Sequence, residues 1–210
     1  MKAYTSIPKW SEEDFGKYVF GFDKIDGSNI RAEWDRKLSK KSRFTYGFKK
    51  FGTRNELIHQ NSPFAEAIGI FENKYVEDLN KIFMDNKLFR GVDRITVYGE
   101  FFGENSFAGS HVWTEPHDIQ IFDVFLYKKN YVPPTDFKKA FEWVDTVKFL
   151  FNLTFDSNVQ KMIEKNAMGL KEGVVCKWVE NGRVHMFKVK TEQWLRKVKD
   201  LYGEAKMLEY

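Results

Sequence analysis

The hydrophobic residues of this chain fall into short alternating runs interleaved with longer helical stripes. Tyr18 to Phe22 is short and aromatic and predicts a strand leading into Lys24. Asn29 to Trp34 predicts a returning strand, and Ser42 to Phe51 another. Ser62-Pro63 opens an amphipathic stretch to about Asp85, where Phe64, Ala67, Ile68, Phe71, Tyr75, Leu79, Ile82 and Phe83 fit one helix or two short ones. Ile95 to Phe101 and Ile119 to Leu126 read as strands. Beyond Pro133-Pro134, a helix is predicted from Thr135 to about Phe151, with Phe137, Phe141, Val144 and Phe151 on one side. A shorter helix near Val159 to Asn166 precedes two strands, Gly173 to Val179 and Arg183 to Lys190, whose Glu180-Asn181-Gly182 connection reads as a hairpin turn. Thr191 to Leu208 reads as a basic amphipathic helix. Ser11 ahead of Glu12-Glu13-Asp14 is a helix-start signature.

Strands mixed with helices, without strict alternation, predict an α+β fold with largely antiparallel sheets and flanking helices. No repeat, low-complexity tract or linker divides the 210 residues, so one domain is expected. Hydrophobic residues make up 42% and charged residues 30%, which places the chain among globular rather than disordered sequences. With 21 Phe the core is expected to be rich in rings, some of them free to stack on bases. The net charge of +4 is a mild bias toward a polyanionic partner. The lone Cys176 excludes an internal disulfide framework and a cysteine zinc cluster. No apolar run reaches membrane-span length and no signal-peptide pattern opens the chain, so a cytoplasmic location without membrane association is expected.

Candidate chemistry begins at Lys24-Ile25-Asp26-Gly27-Ser28-Asn29. A lysine nucleophile must lose its proton, which desolvation or nearby positive charge favours, and a glycine turn lets backbone approach a phosphate. Taken alone, the hexapeptide reads first as an exposed lysine beside an Asp-Gly turn. Tyr98-Gly99-Glu100-Phe101-Phe102-Gly103 ends a strand with Thr96, Tyr98 and Glu100 on one face. Glu172-Gly173-Val174-Val175-Cys176-Lys177 opens another with an acid at its mouth. Phe187-Lys188-Val189-Lys190 puts two lysines on one face, because side chains in a strand alternate. His59, His111, His117 and His185 lack metal-ligand spacing, and Glu115-Pro116-His117-Asp118 reads as a polar loop.

In that order KIDGSN, YGEFFG, IFDVF, EGVVCK and FKVK resemble motifs I, III, IIIa, IV and V of the covalent nucleotidyltransferases: DNA ligases, RNA ligases and mRNA capping enzymes. Asn29 and the form of the second motif are similar to RNA ligases, in particular the RNA ligase 2 family of bacteriophages. Phe51-Gly52-Thr53-Arg54-Asn55 sits where the superfamily has motif Ia.

The resemblance implies a nucleotidyltransferase (adenylation) domain that joins 5′-phosphate and 3′-hydroxyl ends of RNA through a covalent lysyl-AMP, as in RNA repair. It implies ATP as cosubstrate and Mg²⁺ or Mn²⁺ as cofactor. Lys24 attacks the α-phosphorus, and Lys188 and Lys190 contact the α-phosphate. Glu172 holds the metal and Asp26 assists the metal or the lysine. Glu100 accepts from the ribose hydroxyls, Phe122 stacks on adenine, and Arg54 contacts a phosphate or the strand end. About twenty residues follow Lys190, leaving no room for an oligonucleotide-binding-fold domain. An accessory protein that supplies substrate binding is therefore an expectation, as is a host-cell cytoplasm if the source is viral. The alternatives are a small ATP-dependent DNA ligase and a nucleic-acid-binding module with a decayed adenylation site.

Overall fold

A computed structural model describes residues 1–41, 46–59, 61–104 and 115–209. Its elements in chain order begin with β1 (Tyr18–Lys24), β2 (Ser28–Asp35), α1 (Arg36–Ser39), β3 (Phe48–Thr53) and α2 (Ala65–Asp85). They continue with β4 (Arg94–Phe102), β5 (Asp118–Leu126), α3 (Pro134–Ala140), β6 (Phe149–Thr154) and α4 (Ser157–Glu164). The last are β7 (Gly173–Glu180), β8 (Arg183–Lys190), α5 (Glu192–Tyr202) and α6 (Glu204–Leu208). The chain forms two compact units. The first comprises Met1–Thr5, Ser28–Phe101 and His117–Thr146, and the second Ser6–Gly27, Phe102–Pro116 and Val147–Tyr210.

The first unit holds a four-stranded sheet in the order β3-β2-β4-β5, with β2 antiparallel to both neighbours. Helix α2 repeats apolar residues at three- and four-residue spacing, so Ala67, Phe71, Tyr75, Leu79, Ile82 and Phe83 share one buried stripe. Phe71 meets Phe48 and Phe51 with ring centroids 5.4 and 5.6 Å apart, and Phe83 meets Trp34 at 5.3 Å. Burying each such ring stabilises the unit by roughly 1.5–3 kcal/mol.

The second unit holds an antiparallel sheet in the order β6-β1-β7-β8. One face buries Val19, Val174, Cys176, Phe187 and Val189 against Phe155, Ile163 and Leu170. Helix α4 runs beneath it, started by Asp156, whose side chain accepts from the backbone N–H of Asn158 and Val159.

Three sequence expectations are corrected. The helix from Thr135 stops at Ala140, and Phe149–Thr154 is a strand pairing with β1. The stripe Phe137, Phe141, Val144 ends there. The next run, Phe149-Leu150-Phe151-Asn152-Leu153-Thr154, is aromatic and apolar enough to prolong a helical pattern, yet it supplies the edge strand. The C-terminal helix is two helices, broken at Gly203, whose φ of 87° lies in the left-handed region. The strand placed at Ser42 to Phe51 runs from Phe48 to Thr53; residues 42–45 lie outside the described residues.

Candidate functional site

The register of the second sheet brings its charged residues together. Lys24, last in β1, pairs with Gly173, first in β7, and Gly173 pairs with Lys190, last in β8. Glu172 immediately precedes this rung. Its Oε1 lies 2.9 Å from Lys24 Nζ and also accepts from Lys190 Nζ. Glu172 and Lys190 side chains are each 4% exposed, against 22% for Lys24. Two ammoniums on one buried carboxylate carry a combined charge of +1, suited to an incoming anion.

Glycine at 173 is what permits this approach. A Cβ there would stand 2.1 Å from the Val189 carbonyl oxygen and 2.9 Å from Lys190 Cα. Behind the rung, the Thr191 backbone N–H donates to the Glu172 carbonyl at 2.9 Å, and the Thr191 hydroxyl accepts from Trp194 N–H at 3.2 Å. Helix α5 is thereby started where the catalytic candidates end, and it sets the Trp194 ring 3.8 Å from Lys190 Nζ. Lys188 lies two positions earlier on the same face. Its backbone is held by Pro8–Trp10: Lys188 N–H donates to Pro8 O at 2.9 Å, and Trp10 N–H donates to Lys188 O at 3.1 Å. Asp26, two residues beyond β1, is 2% exposed.

Asp23 points to the other face, and its Oδ1 is buried without a hydrogen-bond partner among the described residues. Burial raises its carboxyl above the usual carboxylate range, against the opposing charges of Lys148, Lys171 and Lys24.

The remaining candidates stand in the first unit. Glu100 pairs across β2–β4 with Asn29 and is partly buried. Sequence reasoning used Asn29 for classification and gave it no role. Its Oδ1 is a buried acceptor without a hydrogen-bond partner among the described residues, the signal that a ligand donor belongs there. Phe122 is half-buried between the fully buried Ile121 and Asp123. The Tyr4 ring meets it edge-on at 4.9 Å, and the Tyr98 ring lies at 6.4 Å and 21°. Tyr4 is fixed in turn by donating to Asp123 Oδ2 at 2.5 Å. Arg54 is exposed at a turn closed by Thr53 N–H donating to Glu56 O at 2.9 Å.

The structure thus puts Lys24, Glu172 and Lys190 in direct contact, places Lys188 and Asp26 in the same unit, and leaves Arg54, Glu100 and Phe122 in the other. The loop Glu115–Asp118 has three separate partners: Glu115 pairs with Lys171, His117 with Glu66, and Asp118 with Lys74. His111 lies outside the described residues. Cys176 is buried, and burial pushes its thiol well up. Among the described residues no three or more metal-binding side chains cluster. Glu172 and Asp26 offer the hard carboxylate oxygens that suit Mg²⁺ or Mn²⁺, an ion commonly held by one or two carboxylates with water and phosphate completing its shell.

A family model described as RNA ligase matches residues 17–190, which takes in parts of both units. Among solved structures the chain is similar to a Naegleria gruberi RNA ligase. One form, with AMP and Mn, is 16% identical with a TM-score of 0.67, covering 95% of this chain and 59% of that one. The form with PPi gives 17% identity and a TM-score of 0.66, covering 95% and 58%. Another, with ATP and Mn, gives 17% identity and a TM-score of 0.62, covering 90% and 53%. The chain therefore spans little more than half the length of these relatives. No curated protein matches the sequence. With five ordered motifs, the shared rung of Lys24, Gly173 and Lys190, and a family match over most of its length, the chain belongs to the RNA ligase family.

Proposed function

We propose that the chain is an ATP-dependent RNA ligase that works through a covalent AMP on Lys24 and joins 5′-phosphate to 3′-hydroxyl ends. The observation that carries this reading is the pair of lysines sharing one buried carboxylate at a sheet end. Bound to Glu172, the Lys24 amine is held as an ammonium, because an adjacent negative charge favours the charged form. It becomes a nucleophile when that contact is broken and its proton is lost. Lys190, buried and still positive, opposes recharging of Lys24. The Lys24 nitrogen then bonds to the α-phosphorus, the bond to the bridging oxygen breaks, and pyrophosphate leaves with the electron pair. Lys188 and Lys190 offset the charge that builds on the non-bridging oxygens.

A divalent ion at Glu172 and Asp26 would add Lewis-acid charge to those oxygens. The ATP, AMP, PPi and Mn in the Naegleria relatives support this choice of ligands. Glu100 takes the ribose hydroxyls, Asn29 a ligand donor, and Phe122 the base. Arg54, exposed at its turn, meets a phosphate of the RNA end. Transfer of AMP to the 5′-phosphate and attack by the 3′-hydroxyl with loss of AMP complete the reaction.

Incubation with α-labelled ATP and Mg²⁺ or Mn²⁺, followed by denaturing electrophoresis, tests the first step. Wild type is expected to carry covalent label and Lys24→Ala none. Label retained on the variant would remove Lys24 as nucleophile. Offering nicked RNA, nicked DNA and single-stranded 5′-phosphorylated RNA then separates the substrates. Sealing of DNA nicks alone would replace this reading with a DNA ligase, and no label from any nucleotide would leave a binding module.

A further inference from the structure

Lys24 and Lys190 share one oxygen of Glu172, yet the two ammoniums are held differently. The Lys24 side chain is 22% exposed and that of Lys190 only 4%. The buried ammonium has a second contact, its Nζ lying 3.8 Å from the centroid of the Trp194 ring. The negative face of an indole attracts a cation at that distance, most strongly where water is excluded. Trp194 is itself 1% exposed.

Local sequence explains how the ring arrives there. Lys190 ends β8, Thr191 caps α5, and Trp194 is the third residue of that helix. Side chains in a helix lean back toward its N-terminus, so a ring at this position reaches the residue ahead of the cap. The cap is anchored at both ends. Thr191 is fully buried, its hydroxyl accepts from Trp194 N–H at 3.2 Å, and its own N–H donates to the Glu172 carbonyl at 2.9 Å. One turn therefore holds both groups that contact the Lys190 ammonium. Farther along, the fully buried Val198 packs with Leu195 and Met207 to dock the helix.

We propose that Trp194 is a positioning residue for adenylylation, which keeps the Lys190 ammonium in place while Lys24 leaves Glu172 to attack. A lysine ends in a point charge on a flexible four-carbon stem, and such a charge stabilises a transition state best when it is fixed beforehand. Carboxylate and ring together supply that fixing, so the charge stays beside the α-phosphate after Lys24 has moved. The role rests on the Lys24–AMP reading above and assigns it a residue outside the five motifs.

The test is the rate of AMP labelling from α-labelled ATP, followed over a range of ATP concentrations. Trp194→Leu keeps an apolar side chain and removes the ring. It is expected to lower the rate at saturating ATP by about two- to thirtyfold. The half-saturating ATP concentration is expected to move less, because Lys190 acts on charge that builds in the transition state. Trp194→Phe returns a ring and is expected to fall between Trp194→Leu and wild type. Val198→Ala loosens the same helix without touching the ring and is expected to label at the wild-type rate. A tetrafluorinated tryptophan placed at position 194 keeps the shape and drains electron density from the ring face. It is expected to slow labelling in a folded chain. The proposal is overturned if Trp194→Leu labels like Trp194→Phe, if Val198→Ala loses the same factor, or if the fluorinated ring labels like wild type. Absent labelling of wild type would remove Lys24 as nucleophile and this role with it, whereas labelled wild type with an unaltered fluorinated form removes Trp194 alone.

Discussion

The two four-stranded sheets carry buried polarity in different forms. Around β3-β2-β4-β5 tyrosine hydroxyls accompany the buried Arg31 and Asp123, which lie on separate strands. Tyr98 donates to the Lys2 carbonyl at 2.9 Å, and Tyr75 donates to the carbonyls of Ile119 and Asp145 at 2.6 and 2.9 Å. Tyr4 donates to the buried Asp123, and burial, reinforced by that carboxylate, keeps its hydroxyl protonated. Around β6-β1-β7-β8 the buried polarity is ionic: Glu172, Lys190 and Lys177 are each at most 6% exposed. Hydrogen-bonded hydroxyls stabilise a shape. Ion pairs so deeply desolvated contribute little net stability and are retained where charge is used.

The sharpest way to break this contrast is Glu172→Ala. It leaves Lys190 as a buried cation without this carboxylate, at a cost of about 3–5 kcal/mol. Urea denaturation should show that loss together with absent AMP labelling. If the variant were as stable as wild type, the ionic account of the second sheet would be wrong. Tyr4→Phe probes the other sheet. It deprives the buried Asp123 of a donor and should cost about 1–3 kcal/mol, read as a lower urea midpoint at unchanged slope.

Asp23→Asn should act in the opposite direction. A carboxyl whose folded-state pKa is raised binds its proton more tightly folded than unfolded. Its contribution to stability therefore falls as pH rises from the ordinary carboxylate range through the raised value. The variant is expected to melt above wild type at pH 7, with the gap closing toward acid. A gap that widened toward acid would reverse the assignment. The smallest effect belongs to Arg196→Ala on α5, where a 77% exposed side chain pairs with Glu192 at 3.2 Å. The urea midpoint is expected to move barely, if at all, because solvent and salt screen an exposed pair of this kind.

That helix also shows how the sequence could be read. The amphipathic pattern of α5 placed Trp194, Leu195, Val198 and Leu201 on its docking side; Trp194 and Val198 are buried with Leu195 packed against them, while Leu201 is 58% exposed. Lys24, Glu172, Lys188 and Lys190 were readable because each sits in a short motif whose chemistry limits the residue types. The fold class followed from the alternating runs, and the Asn-Gly hairpin stands where expected, with Asn181 and Gly182 both at positive φ. Strand β6 was not readable, because Phe149 to Leu153 continues the apolar stripe of α3 and only pairing with β1 distinguishes the two forms. Division into two units left no trace, since the chain enters each unit more than once and carries no linker. Nor did sequence show that Glu172 serves two lysines at once. That depends on a register fixed by contacts more than a hundred residues apart.

The strap of Pro8–Trp10 along β8 has a consequence for how the chain comes into being. Lys9 bridges to Lys188, and Gly21 of β1 pairs with Cys176, so these segments must wait for residues more than 150 positions further along. Contacts of such sequence separation make folding slow and leave it until late in synthesis. A polypeptide released before β8 is made would lack Lys190 beside Glu172. The Lys24–Glu172 pair therefore gains its second lysine only once residue 190 has been added.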